Sequence, residues 1–328
     1  MLLDLSKAHI LVTGGAGFMG SAFIRFVLKQ EGFKGHISNL DLLTYCGDLE
    51  NLDEVKGDSR YTLYQGDIGD EALLETIHQE RGIDVIVHFA AETHVDRSIA
   101  NPEAFMQTNV MGTYHLLEFV RRHPEVHFHH ISTDEVYGAL GSEGVFTEES
   151  PYKPNSPYSA SKAASDHLVR SYGKTYHLST TLSHACNNYG PGQYPEKLIP
   201  FMIQNMFENK ELPVYGTGEN VREWLFVEDH ARAIWTILER GKKGEVYNVG
   251  GGCEMKNIDL IYLLFEVMEE VTGKKVNENL ITYVTDRPGH DFRYSMESKK
   301  MEALGYRPIW SLKEGLKETV RSMKKECV

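Results

Sequence analysis

The sequence predicts an α/β protein: a doubly wound parallel sheet with a smaller α/β unit folded against it. Short apolar runs alternate with amphipathic helical stretches through the first half of the chain. Those runs are apolar nearly throughout, as strands covered on both faces are. The first of them leads straight into a glycine-rich turn that opens a helix.

In chain order, residues 8–13 read as the first strand and about 21–30 as the helix after the glycine turn. Strands follow at His36–Asp41 and Tyr61–Gln65, helical spacing at 71–79, and a fourth strand at 84–89. A helix is expected over about 102–122 and a strand over about 127–132. Pro151, Pro154 and Pro157 then break the chain before a helix starting near Tyr158. Beyond Cys186 the chain is rich in Asn, Gly and Pro, and a polar helix over about 312–324 closes it. The expected division is a cofactor-binding unit of residues 1–182 plus about 221–249, and a substrate unit of about 183–220 plus 250–328.

The 328 residues carry 34 Lys and Arg against 47 Asp and Glu, a net charge of −13. That balance argues against a nucleic-acid partner or an anionic lipid surface, although local cations can still hold a phosphate. Neither a long apolar run nor a charged-then-apolar leader is present, so no membrane span and no signal peptide are expected. Cys46, Cys186, Cys253 and Cys327 are scattered without zinc spacing, which predicts a reducing, cytoplasmic setting and no metal.

Gly14, Gly17 and Gly20 lie between the first strand and its helix (TGGAGFMG). Bare backbone can turn tightly there and approach a pyrophosphate, and the helix start offers free N–H groups. Asp41 ends the second strand, where an acid bonds the adenosine ribose and repels a 2′-phosphate, which favours NAD over NADP. Tyr158 and Lys162 (YSASK) share one helix face. An ammonium beside the phenol is expected to lower its pKa and make Tyr158 a base for a substrate hydroxyl.

With Ser132 and Thr133 at a strand end, these motifs carry a resemblance. TGGAGFMG, HFAAETHVDRS, TNVMGT and YSASK match the extended short-chain dehydrogenase/reductases in order and spacing, over essentially the whole chain. Within that Rossmann-fold superfamily the chain resembles the dTDP-glucose 4,6-dehydratases, through the segment from Ser132 to Gly138 and through CNNYGP, PEKLIP, LPVYG, VREWLFVEDHARA, KNID and DRPGHDFRY. The resemblance implies C4 oxidation of a nucleotide-bound hexose, loss of water across C5–C6, and return of the hydride to C6. It assigns Thr133 to the C4 oxygen, Glu135 as the C5 base and Asp134 as the acid at the C6 hydroxyl. Tightly bound, recycled NAD would lie along Gly14, Gly17, Phe18, Met19, Gly20, Asp41, Thr44, Asp67, Ile68, Ala90, Ala91, Thr108, Tyr158 and Lys162. The sugar nucleotide would meet Thr93, Asn187, Lys197, Leu198, Pro213, Tyr215, Arg222, Asn257, Arg287 and His290. A homodimer or higher homo-oligomer is implied, packed through helices at 102–122 and 158–176, with Phe105, Met106, Val110, Leu116, Leu117, Ala163, Leu168 and Val169 as its apolar supply.

The chain departs from that pattern at three places. Leu42 follows Asp41 where the family commonly has Lys; Gly192 follows NNYGP where it has an aromatic; and Ser183-His184-Ala185-Cys186 replaces its usual order. Loss of bulk at Gly192 leads to the expectation of room for a larger C2 substituent, such as the acetamido group of UDP-N-acetylglucosamine. An epimerase or decarboxylase of the same superfamily is the alternative enzyme, against which Asp134-Glu135 speaks. A non-catalytic NAD sensor is the alternative of another class, and retention of both Tyr158 and Lys162 speaks against it.

Overall fold

The computed structural model describes residues 3–286 and 290–326. The chain starts mid-sheet with β1 (His9–Thr13) and α1 (Phe18–Leu28), then adds β2 (His36–Asp41) and β3 (Tyr61–Gln65) on one side. After α2 (Glu71–Arg81) it crosses back to place β4 (Val85–His88) on the other side of β1. Next come α3 (Val95–Ala100), α4 (Pro102–Phe105), α5 (Thr113–Arg122) and β5 (His127–Thr133), then α6 (Pro157–Thr175) and β6 (Thr180–Ala185). β7 (Asn187–Tyr189), α7 (Leu198–Glu208), β8 (Leu212–Tyr215) and β9 (Val221–Phe226) leave the large sheet. α8 (Val227–Arg240) returns to it with β10 (Val246–Val249) as an edge strand. The remainder of the described chain is β11 (Glu254–Lys256), α9 (Asn257–Thr272), β12 (Ile281–Val284), α10 (Lys299–Ala303) and α11 (Leu312–Glu326).

The large sheet has seven strands in the order β10-β6-β5-β4-β1-β2-β3, every pair parallel. Strand order reverses between β1 and β4, which places a crevice at their carboxyl ends. Thr13, Asp41, His88, Thr133 and Ala185 all end strands at that edge. A three-stranded sheet (β11-β9-β7) and the pair β12-β8 form the smaller unit. Its core joins Tyr189, Ile203, Trp224, Phe226, Leu260, Leu264 and Leu316. β9 pairs in this smaller sheet, whereas the sequence reading set residues 221–226 with the cofactor-binding unit; the return to the large sheet begins with α8.

Two elements differ from expectation for physical reasons. The helix expected over 102–122 is interrupted by a π-turn at Met106–Gly112. The wide turn sets the Asn109 side chain against Glu92: Oδ1 accepts from Glu92 N at 2.8 Å and Nδ2 donates to Glu92 O at 3.0 Å. Asn109 also donates to Ser161 Oγ at 2.8 Å, tying α6 to the segment after β4. The second difference is β5, which is not apolar: His127, His129 and His130 are all buried. His127 bonds Ser179 and Thr181 hydroxyls at 2.8 and 2.9 Å, and His129 bonds Thr181 and Ser183 at 2.9 and 3.2 Å. Burial pushes His127 down to about 3 and His130 to about 4, so the strand stays uncharged at neutral pH.

The glycine turn is fixed by backbone contacts. Gly14 sits at φ +69°, and a Cβ there would lie 2.7 Å from the Ala90 Cα and nitrogen. A Cβ on Gly20 would lie 2.3 Å from the Gly14 carbonyl oxygen, whereas one on Gly17 would come no nearer than 3.3 Å to anything. Gly14→Ala should therefore lower stability by about 2–4 kcal/mol, through left-handed strain and overpacking together. Gly17→Ala should lower it by about 1 kcal/mol, the loss expected when an N-cap glycine gives way to alanine. Thermal denaturation of the two variants checks the contrast.

Candidate active site

The carboxyl edge brings the cofactor candidates together around the glycine turn. Gly17 begins α1 with no side-chain cap, leaving the N–H groups of Phe18 and Met19 for a ligand. Asp41 is buried; its Oδ2 accepts from Ala16 N and its Oδ1 from Leu43 N, both at 2.8 Å. Each oxygen keeps a lone pair for a ribose hydroxyl. Ala90 N–H donates to Thr13 Oγ1 at 3.3 Å, and Ala91 follows it. Ile68 is buried, with its Cδ1 2.5 Å from where a Gly112 Cβ would be. Thr108 is half-buried on the π-turn, while Thr44 and Asp67 are exposed on the loops after β2 and β3. A glycine turn with one open approach, uncapped N–H groups and a carboxylate at the next strand end fit a dinucleotide.

Thr133 ends β5 and caps the short helix Asp134–Tyr137, so Asp134 and Glu135 follow at the crevice. Thr133 Oγ1 accepts from Glu135 N at 3.3 Å and donates to Asp134 Oδ1 at 3.2 Å. Asp134 is 2 % exposed and its Oδ2 has no hydrogen-bond partner. Burial, then the charges of Glu135 and Glu223, hold its carboxyl well above the usual carboxylate range. Arg222, reaching in from β9, pulls the other way.

Tyr158 is the second residue of α6, within a capping box formed by Ser156 and Ser159. Burial and Glu135 push its phenol up, while a hydrogen bond from Thr133 pulls it down. This corrects the expected lowering by Lys162. The Lys162 ammonium turns to the sheet, donating to Ile131 O at 2.7 Å with His130 Nε2 at 3.5 Å. Burial lowers Lys162 to about 8, and the Asp166 charge opposes that.

Asp166 went unnoticed in the sequence, where one acid on a helix reads as solvated. It is fully buried; Ser132 Oγ and His184 Nε2 lie 2.9 and 3.0 Å from its Oδ2, and His130 Nε2 lies 3.3 Å from its Oδ1. These neighbours hold it well below the usual carboxylate range. His184, one of the departures, also bonds Tyr137 at 2.8 Å and Tyr152 at 2.9 Å, so it belongs to this buried network. Glu223 was missed too: it is buried, accepts from Gly252 and Met296 N–H groups at 2.8 and 3.1 Å, and burial raises its pKa.

The nucleotide candidates spread over the smaller unit and its border. Lys197 precedes Leu198 at the start of α7 and donates to Thr93 O at 3.0 Å. Arg222 is buried over the Tyr294 ring, 4.5 Å from its centroid, and donates to Asp291 O at 2.9 Å. Tyr215 and His290 meet edge to face at 6.2 Å, with Pro213 on the same strand as Tyr215. Asn187 lies on β7, and Asn257 starts α9 with its Oδ1 buried and unbonded. Arg287 lies outside the described residues. Gly192 departs from expectation: a Cβ there would lie 2.4 Å from Asn51 Oδ1, and Asn51 donates to Ala16 O at 3.3 Å. Its missing bulk faces the glycine-turn side, which removes the argument for a larger C2 group. His78, His123 and Glu125 place ligand atoms within 4.8 Å of one another. His78 Nδ1, however, accepts from Ile83 N–H at 3.0 Å, which puts its proton on Nε2 and spoils that atom as a metal ligand.

The profile of the GDP-mannose 4,6 dehydratase family matches residues 11–319. The dTDP-glucose 4,6-dehydratase of Neisseria meningitidis serogroup B is 48% identical over 328 residues, covering 95% of this chain and 92% of that protein. DesIV, a dTDP-glucose 4,6-dehydratase from Streptomyces venezuelae crystallised with NAD and dTDP, superposes with a TM-score of 0.91 at 45% identity, covering 97% of each chain. UDP-glucose 4-epimerase from Thermotoga maritima, solved with UDP-glucose, superposes at 0.87 with 28% identity, covering 98% of this chain and 100% of that one.

Asp166→Asn should cost about 3–5 kcal/mol at neutral pH, because Lys162 loses its buried counter-charge. Asp166 is depressed on folding, so its contribution is present above the ordinary carboxylate range and fades as pH falls below it. Urea unfolding of wild type and variant should show a gap that narrows in acid.

Proposed function

The chain belongs to the GDP-mannose 4,6-dehydratase family, and from that premise we propose that it converts dTDP-glucose to its 4-keto-6-deoxy sugar. It is an NAD-dependent nucleotide-sugar 4,6-dehydratase, a hydro-lyase on an extended short-chain dehydrogenase/reductase fold. The large sheet's unit carries the cofactor and the smaller unit the sugar nucleotide. The observation that carries the reading is the acid pair after Thr133, where the buried Asp134 carboxyl is harder to ionise beside Glu135, whose charge also acts on Tyr158. An epimerase has no use for such a pair. The scattered free cysteines support a cytoplasmic setting, and among the described residues no helix is long and apolar enough to cross a membrane.

Tyr158 takes the proton of the C4 hydroxyl while Thr133 bonds that oxygen. The new C4 ketone acidifies C5, whose proton passes to Glu135. Asp134 then gives its proton to the departing C6 hydroxyl, and the proton on Glu135 returns to C5 as C6 is reduced. NAD, held by the glycine turn, Asp41 and Lys162, supplies the acceptor for the C4 hydride and its return to C6. Lys197 and Arg222 offer a point charge and a planar fork to the diphosphate.

Incubation with dTDP-glucose and no added NAD should yield a product lighter by one water in mass spectrometry. Glu135→Gln should slow dehydration by about 10²–10⁴-fold, with reduced nicotinamide accumulating in the first turnover. Tyr158→Phe should abolish both signals. Loss of cofactor reduction in Glu135→Gln as complete as in Tyr158→Phe would show that the carboxylates serve oxidation instead.

We also propose a homodimer through α4, α5 and α6. Phe105, Leu116, Leu117, Ala163 and Val169 are used up inside the protomer, which corrects the expected apolar supply. Met106, Met111 and Tyr176 remain 38%, 41% and 47% exposed and are available to a second copy. Sedimentation should give a dimer mass, and Met111→Asp together with Tyr176→Asp should shift it toward the monomer.

A further inference from the structure

The sheet order places the loops after β2 and β4 on either side of the glycine turn that ends β1. The loop after β2 is anchored on that turn at two points. Asp41 Oδ2 accepts from Ala16 N at 2.8 Å, and Asp48 N donates to Ala16 O at 3.1 Å. Tyr45 lies between those anchors. From the other side α3 brings Arg97, whose guanidinium lies 3.8 Å from the centroid of the Tyr45 ring. The two flanking loops therefore join across the turn that fits a dinucleotide.

A third segment closes the ring. Residues 190–197, between β7 and α7, belong to the smaller unit. Glu196 divides its carboxylate between the other two loops: Oε2 accepts from Arg97 Nε at 3.1 Å, and Oε1 from the Tyr45 hydroxyl at 3.5 Å. Tyr194 meets the Tyr45 ring edge to face at 5.5 Å, so that ring is held by a cation and by an aromatic neighbour. Lys197 Nζ adds a bond to Thr93 O at 3.0 Å, on the loop after β4. The Arg97 side chain is 47% exposed and that of Glu196 16%, so the junction lies at the surface and can part without opening a core.

We propose that Tyr45, Arg97 and Glu196 form a clasp that retains NAD, and that the cofactor leaves only when segment 190–197 lifts from the other two loops. This rests on the cofactor reading above. The reaction needs such retention. Between removal of the C4 hydride and its return to C6 the sugar is a ketone, and loss of the reduced cofactor at that stage would leave it unfinished. An exposed ion pair and one cation over a ring are together worth about tenfold in an equilibrium. That is enough to favour the closed form and weak enough to let it open.

The test is exchange of bound cofactor in the absence of sugar. Purified protein is mixed with excess isotope-labelled NAD, and the label retained per site is followed after gel filtration. Arg97→Met removes both the ion pair and the cation over the ring, and should speed exchange by about tenfold. Glu196→Gln keeps the shape but not the charge and should speed it less. The double variant should exchange no faster than Arg97→Met, because both changes break one contact, whereas separate loosening of two loops would add. Exchange in Arg97→Met at the wild-type rate, or effects of the two changes that add, overturns the clasp. Wild-type protein that neither carries nor takes up NAD would instead overturn the cofactor reading, and the clasp with it.

Discussion

The arrangement at the crevice depends on where α6 sits against β5 and β6, and a buried carboxylate sets that position. Tyr158, Lys162 and Asp166 lie one turn apart along one face of α6. Asp166 takes the Ser132 hydroxyl from β5 and the His184 ring from β6, so sliding the helix would strand an ion in the core. The same anion balances the Lys162 ammonium, buried against the Ile131 carbonyl. Asn109 braces α6 from the other side through Ser161 and, with its remaining bonds, holds the backbone of Glu92. Helix, sheet and the loop after β4 thus share one polar scaffold under the reacting groups.

Above it the site separates charge by depth. Asp134 lies deeper than Glu135, and burial together with the Glu135 charge makes its carboxyl harder to ionise. The charge of Glu135 also pushes against the Tyr158 phenolate. Burial pushes the same phenol further from ionisation. Arg222 enters this balance from β9, so the smaller unit tempers the acid.

Much of this was legible in the sequence because it follows local rules. Apolar runs, glycine spacing and the four-residue step from Tyr158 to Lys162 each encode geometry within a few residues. Features that depend on what packs opposite were not legible. The strand at HFHHIST was expected, but how its buried histidines are satisfied shows only when the hydroxyls of β6 are set beside it. The π-turn leaves no mark in the apolar period, and the polar Asn109 facing inward was its only available signal. Asp166 went unnoticed because its three neighbours, Ser132, His130 and His184, come from other elements. The phenol of Tyr158 was expected to be lowered because helical spacing shows that two side chains share a face, not where their tips point.

Gly192 illustrates the same limit. A missing aromatic read in one dimension became space for a larger sugar, yet the direction of its absent Cβ leads to Asn51. Asn51 holds the Ala16 carbonyl, and Ala16 N in turn holds Asp41, so bulk at position 192 would press on the loop that shapes the glycine turn. The glycine also adopts φ +81°, a conformation that a tyrosine enters only with strain. Small size at this position is explained by backbone shape and by the neighbouring Asn51.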